Sequence, residues 1–261
     1  MEFSRGSVAL IGAGPGDPDL ITIKAIRYLE KATVVLTDRL ANAEILKRYC
    51  STANIIEVGK NGITGEKTQQ QVIDELLCKY AFQQERVVRL KGGDATLFSN
   101  ITSEINALRN ADIPFIIIPG ITAVSGAAAQ YQFPLTTREY AHGLRYLTLC
   151  SPENWTSINW DELVQCSDTL VFYMTGKLFR KLIVKLIECG VDGEKPIAII
   201  EKATMKNSKL HLTSITQSLS AWENLQPESP SIVIVGSILH FSMISNANIE
   251  ALGQFALQNI N

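Results

Sequence analysis

The chain has 261 residues, of which 46% are apolar and 19% charged, the proportions of a globular protein able to bury a core in one domain or two. Its 24 basic and 26 acidic residues leave a net charge of −2, so no basic field points to nucleic acid or to an anionic membrane as partner. The longest apolar runs, such as Phe115–Ile118, are too short to span a bilayer, and no charged-then-apolar leader opens the chain, so a cytoplasmic protein is expected.

In chain order, a strand-like run over 7–12 enters the loop Gly12-Ala13-Gly14-Pro15-Gly16-Asp17. Glycine lets the backbone turn or approach a ligand closely, and Pro15 fixes one torsion. The spacing is not the dinucleotide fingerprint, which opens directly into a helix. A ligand loop and a plain strand-to-helix turn both fit it. Thr22 then caps a helix over about 22–31 that carries Ile23, Ile26 and Leu29.

Strand-like runs follow at 33–37, 54–58, 86–90 and 114–118, with helical patterns near 42–49, 67–80 and 101–110. Val72, Ile73, Leu76, Leu77 and Tyr80 form the stripe of the 67–80 helix. Thr122 caps a small-residue helix from Ala123 to Gln130. Such alternation predicts a parallel sheet covered on both faces, with all strand carboxyl ends along one edge. Beyond about 140 the pattern changes. Strand candidates are 144–149, 168–173, 196–200, 208–213 and 231–236, with a helix over 177–189 bearing Leu178, Leu182, Ile183, Leu186 and Ile187. A mixed sheet is expected there, with a boundary between Pro134 and Gly143 and two domains, 1–138 and 139–261.

Charged and glycine-rich residues recur just after the strands of the first half: Asp38-Arg39, Gly59-Lys60, Lys91-Gly92-Gly93-Asp94 and Pro119-Gly120-Ile121-Thr122-Ala123. At the edge of a doubly wound sheet these loops line one crevice. Asp38 fits a general base and Lys60 an acid or anion anchor, and both also fit solvated loop charges. Arg89 and Lys91 are two apart and share a strand face, placed to bind substrate carboxylates or, for Arg89, to pair with a neighbouring acid. Asp94 is either an acceptor for a ligand or a helix cap. Arg138 and Arg145 are further cations near the domain junction, and Met174 ends a strand where a core role is the alternative. Cys50, Cys78, Cys150, Cys166 and Cys189 are odd in number and widely spaced, and His142, His211 and His240 show no metal spacing, so no metal is expected.

Taken together and in order, Gly12-Ala13-Gly14-Pro15-Gly16-Asp17-Pro18, Asp38-Arg39-Leu40, Val58-Gly59-Lys60, Arg89-Leu90-Lys91-Gly92-Gly93-Asp94, Pro119-Gly120-Ile121-Thr122-Ala123 and Pro134-Leu135-Thr136 resemble the tetrapyrrole (corrin/porphyrin) methylases, most of all their uroporphyrinogen-III C-methyltransferase branch. Val171-Phe172-Tyr173-Met174, Glu201-Lys202-Ala203-Thr204 and Ile232–Gly236 continue the resemblance. It implies a class III methyltransferase fold of two α/β domains, the first with a parallel sheet and the second with a mixed one. It also implies a homodimer, and S-adenosylmethionine bound between the domains and released as S-adenosylhomocysteine, without a metal.

Position by position, the resemblance puts Pro15, Gly92, Gly93, Asp94, Leu97, Thr122, Ala123, Met174 and Ala203 on the cofactor. It makes Asp38 the proton acceptor and Lys60 the donor. The implied reaction is methylation of uroporphyrinogen III at C2 and C7 to precorrin-2, in sirohaem or cobalamin synthesis. Arg39, Lys91, Arg138 and Arg145 are the cations expected around the rim for the substrate's carboxylates. The chain departs from the family pattern at Asn100 (an arginine there), Thr137, Gly65 and Cys150 (histidines). These substrate-side departures leave room for another precorrin, such as precorrin-4, or for a non-catalytic relative that keeps the cofactor site. A nicotinamide-dependent reductase is a further alternative, with Asp38 on a ribose, but the glycine spacing is wrong for it.

Overall fold

The computed structural model describes residues 3–58, 69–150, 152–223 and 226–240. The chain divides into two compact units, one ending at Gly126 and the other starting at Ala127.

In the first unit, β1 (Ser7–Gly12), β2 (Val34–Thr37), β3 (Asn54–Glu57), β4 (Arg86–Lys91) and β5 (Phe115–Ile118) form a parallel sheet in the order β3-β2-β4-β1-β5. The helices are α1 (Ile23–Leu29), α2 (Ala43–Tyr49), α3 (Gln69–Phe82) and α4 (Ile101–Asn110). From β1 through β3 the chain steps one way along the sheet, and from β3 to β5 it steps back. Right-handed crossovers therefore put α1 and α2 on one face and α3 and α4 on the other. The cores follow the pleat. Ala9, Ile11, Val35, Val88 and Leu90 pack with Ala25, Leu29 and Ile45, while Val8, Leu10, Val34, Leu36 and Val87 pack with Ile73, Leu77 and Leu108. The expected parallel sheet, covered on both faces, is the one observed.

Thr22 caps α1 as expected, its Oγ1 accepting from the Ala25 amide at 3.2 Å. The buried face of α1 is nevertheless Ala25 and Leu29, and Ile23 is 69% exposed. Ile23 occupies the first helical position, two residues before Ala25 and so about 200° around the helix from the face that meets the sheet.

α5 (Ala123–Gln130) runs across the division between the units. The second unit contains β6 (Leu144–Thr148), α6 (Trp160–Gln165), β7 (Thr169–Tyr173), α7 (Phe179–Glu188), β8 (Pro196–Glu201), β9 (Lys209–Ser214), α8 (Ile215–Ala221) and β10 (Ser231–Val235). Its sheet has the order β6-β7-β10-β8-β9, with β6 and β7 parallel and the remaining pairs antiparallel, the mixed sheet expected. The α7 stripe is Phe179, Leu182, Ile183 and Leu186. Leu178 belongs to the preceding 3₁₀ turn and Ile187 is partly exposed, so the expected stripe was right in its middle and off at both ends.

Packing divides the chain earlier than 134–143, where the sequence pattern changes. The residues after Gly126 are tied to the second sheet. Gln130 Oε1 accepts from the Thr204 amide at 2.8 Å, the Tyr131 and Ser208 hydroxyls pair at 2.8 Å, and Thr169 Oγ1 donates to the Leu135 carbonyl at 2.7 Å.

Candidate active site

The glycine loops of the first unit are bolted together at the carboxyl ends of β1, β4 and β5. The Ala13 amide donates to the Lys91 carbonyl at 2.7 Å. Gly14 and Gly93 exchange backbone hydrogen bonds at 3.1 and 2.8 Å. A Cβ on Gly12 would lie 2.6 Å from both the Gly120 nitrogen and the Gly93 oxygen, and one on Gly120 would collide with the Gly93 carbonyl. These contacts need glycine because backbone meets backbone where a side chain would stand. Gly93 itself is different. It has φ +69° and nothing within 4 Å of where its Cβ would be, so the side-chain direction is open while its N–H and C=O are held by Gly14.

Asp94 secures the same corner. Its Oδ2 accepts from the Gly120 amide at 2.9 Å, and its Oδ1 accepts from the Thr96 amide at 2.8 Å and the Thr96 hydroxyl at 2.5 Å. Asn42 secures the first loop: its Nδ2 donates to the Gly16 carbonyl at 2.7 Å while its Oδ1 caps α2 at the Glu44 amide, 2.9 Å. Thr122 Oγ1 accepts from the Ser125 amide at 3.2 Å and pairs with the Ser125 hydroxyl at 2.8 Å, so it caps α5 as expected.

Asp38 follows β2 beside these loops. Its Oδ1 accepts from Arg89 Nη2 at 2.6 Å. The Arg89 guanidinium also donates through Nε to Glu104 Oε1 at 3.0 Å, and through Nη1 to the Leu90 and Leu36 carbonyls at 3.1 and 3.4 Å. Lys91 Nζ donates to the same Glu104 oxygen at 2.7 Å. The pleat explains the set: residues 87, 89 and 91 of β4 face α4, where Ile101, Glu104 and Leu108 are the buried positions. Two cations and two anions make the cluster neutral, as buried charges require. Of the four side chains only Asp38, at 29% exposure, reaches the surface.

Lys91 is therefore a correction to the expected rim of substrate cations. It is buried on the helix-facing side of β4, and its amine is committed to Glu104. Burial, joined by the Arg89 charge, pulls the amine below its ordinary value against the opposing pull of Glu104 and Asp38. Arg39 and Arg138 are exposed, with no ion-pair partner among the described residues. Arg145 is shared between Asp168 at 2.7 Å and Glu162 at 2.8 Å. Lys60 and Gly65 lie outside the described residues.

In the second unit, Met174 follows β7 with φ +59° and is 48% exposed. A non-glycine residue held in that region beside an exposed apolar side chain is strain of the kind that gathers at ligand sites. Lys202 (φ +50°) and Thr204 (φ +63°) flank Ala203, which is buried, in the turn after β8. Lys202 pairs with Glu228 at 2.7 Å, and the Glu228 amide donates to Glu201 Oε1 at 2.6 Å. Pro15, Gly92, Leu97 and Ala123 all keep partly accessible surface. Among the departures, Asn100 stands before α4 with φ +55° and donates to Gln70 Oε1 at 3.1 Å, Thr137 holds the backbone of a turn through the Tyr140 amide at 3.1 Å, and Cys150 is exposed.

Sequence reading missed Glu104 and Asn42. A signal for Glu104 existed, since it interrupts the apolar stripe of Ile101, Ile105 and Leu108 on a helix that follows a strand with two cations on one face. Among the described residues, no group of three or more metal-ligating side chains gathers, and no helix is long and apolar enough to cross a membrane.

The family described as tetrapyrrole (corrin/porphyrin) methylases matches residues 7–218. Siroheme synthases from Saccharophagus degradans and Acinetobacter baylyi are each 39% identical, over 234 and 235 residues, which is 90% of this chain and 51% of theirs. The chain thus spans about half the length of the curated relatives it matches. A uroporphyrin-III C-methyl transferase from Thermus thermophilus complexed with S-adenyl homocysteine has a TM-score of 0.74 and 29% identity, covering 90% of this chain and 99% of that one. A further structure of that Thermus thermophilus enzyme gives 0.74 with 32% identity, covering 90% of this chain and 94% of that one. A cobalt precorrin-4 methyltransferase shares the fold, with a TM-score of 0.76 at 22% identity over 90% of this chain and 96% of that one.

Proposed function

Because the chain belongs to the tetrapyrrole (corrin/porphyrin) methylases, we propose that it methylates uroporphyrinogen III at C2 and C7, using S-adenosylmethionine and giving precorrin-2 for sirohaem or cobalamin. The observation that carries this is the match along nearly the whole of the Thermus thermophilus uroporphyrin-III methyltransferase, at up to 32% identity.

The residues present suit the cofactor. Gly93 leaves empty the space where a side chain would stand, and Met174 offers an exposed thioether chain for apolar contact. We assign Pro15, Gly92, Gly93, Asp94, Leu97, Thr122 and Ala123, with Met174 and Ala203 of the second unit, to holding it. When bound, S-adenosylmethionine supplies a methyl group already activated on a sulfonium. The chain's own task is then alignment of the ring and movement of one proton. Good alignment alone contributes about 7–11 kcal/mol to lowering such a barrier.

We assign acceptance of the proton to Asp38. Its Oδ1 is held by Arg89, and its Oδ2 makes no hydrogen bond among the described residues, so Oδ2 is the oxygen that accepts. Lys60 is assigned as donor on the family pattern. Arg39 and Arg138 bind substrate carboxylates from exposed positions, and Arg145 orients through the charges it already shares. Residues 1–138 carry the substrate side and part of the cofactor site, and 139–261 the rest, in a cytoplasmic homodimer.

Calorimetry with S-adenosylhomocysteine and NAD, followed by label transfer from methyl-labelled cofactor to uroporphyrinogen III or precorrin-4, tests the assignment. Binding of S-adenosylhomocysteine alone, with label passing to uroporphyrinogen III, is the expected result. NAD binding alone, or label passing only to precorrin-4, would overturn it.

A further inference from the structure

We infer that Glu104 is a positioning residue for Asp38, acting through Arg89 and Lys91 to set how readily Asp38 accepts a proton. The inference rests on the proposed role of Asp38 as proton acceptor. Arg89 cannot turn away from Asp38, because Glu104 and the Leu36 and Leu90 carbonyls hold its other donors. Its side chain and that of Lys91 are each 3% exposed and that of Glu104 is 0% exposed, so solvent does little to screen the charges from one another.

With Glu104 ionised, the two cations are shared between two carboxylates. Without that buried charge, Asp38 would face Arg89 and Lys91 alone. Nearby positive charge favours the ionised carboxylate, so Asp38 would then be a weaker base. Losing Lys91 instead should act in the opposite direction. Other charged groups on the surrounding elements are Arg39 on the Asp38 loop, Glu57 at the end of β3, Asp94 after β4, and Asp74 of α3, which accepts from Ser103 at 2.5 Å. All of them are unchanged in the variants below, so their influence cancels in the comparison.

The test is a ¹³C carboxyl NMR titration of Asp38 in the full chain, comparing the unaltered protein with Glu104→Gln and Lys91→Met. Glu104→Gln should move the Asp38 midpoint down by about one pH unit, and Lys91→Met should move it up. In methyl transfer, the acid limb of the kcat/KM profile should move the same way in each variant, with kcat lowered in Glu104→Gln. Two folded variants that leave the midpoint unmoved, or move it in the same direction, would overturn the inference. If Glu104→Gln does not fold, Lys91→Met decides alone: an upward shift supports the inference and no shift overturns it. The titration needs no substrate, so a protein without methyl transfer would count against the proposed function and leave this result to stand by itself.

Discussion

Asp38 sits at the surface end of a buried charge cluster, with one oxygen held by a guanidinium and the side chain 29% exposed. Asp38→Asn keeps the size and a partner for Arg89 but removes the proposed base. Turnover should fall roughly 10²–10⁴-fold, the usual worth of a positioned acid or base, while S-adenosylhomocysteine affinity stays near that of the unaltered protein. Equal losses of both, read by steady-state kinetics and calorimetry, would make Asp38 part of the cofactor site instead. Met174→Ala tests the other unit. Burying its side chain against a ligand contributes about 1.5 kcal/mol or more, so the variant should bind S-adenosylhomocysteine roughly tenfold more weakly by calorimetry. At this scale the sequence was partly legible. Two-residue spacing put Arg89 and Lys91 on one face, but their partner lies on α4, and only the phase of that helix decides whether Glu104 meets them or solvent. That is why Lys91 looked like a rim cation and is a core one.

At the scale of elements, the site depends on loops that hold each other rather than on any one loop. Gly12 and Gly120 are far apart in sequence, yet each fills the space the other leaves, and Gly93 lies against both. Gly120→Ala should therefore lower stability by about 1–3 kcal/mol in denaturant unfolding, as overpacking does, and also weaken S-adenosylhomocysteine binding. Asn42→Ala should cost about 1 kcal/mol of stability, because the α2 cap and the Gly16 tether are lost together. Stability unchanged in both variants would mean that the corner is loose. Glycine and proline punctuation marked these loops in the sequence, since those residues act locally. The contacts between loops left no local mark. Two helices of the second unit, α6 and α8, were not anticipated.

At the scale of the molecule, the alternation of strands and helices was enough to predict a parallel sheet in the first unit, and the shorter gaps enough to predict a mixed one in the second. Hydrophobic periodicity carries that information residue by residue. The place where packing divides the chain was not legible. α5 is a run of small apolar residues whose first half lies in one unit and whose second half is tied to the other, and such a run reads the same along its whole length. Family membership follows from the match over 7–218, while the acceptor is a matter for chemistry on this chain. The direct measurement is mass analysis of the tetrapyrrole recovered after anaerobic incubation of the purified protein with S-adenosylmethionine and uroporphyrinogen III. The account predicts a product bearing two added methyl groups; recovery of unmethylated uroporphyrinogen III from folded protein that binds S-adenosylhomocysteine would contradict it.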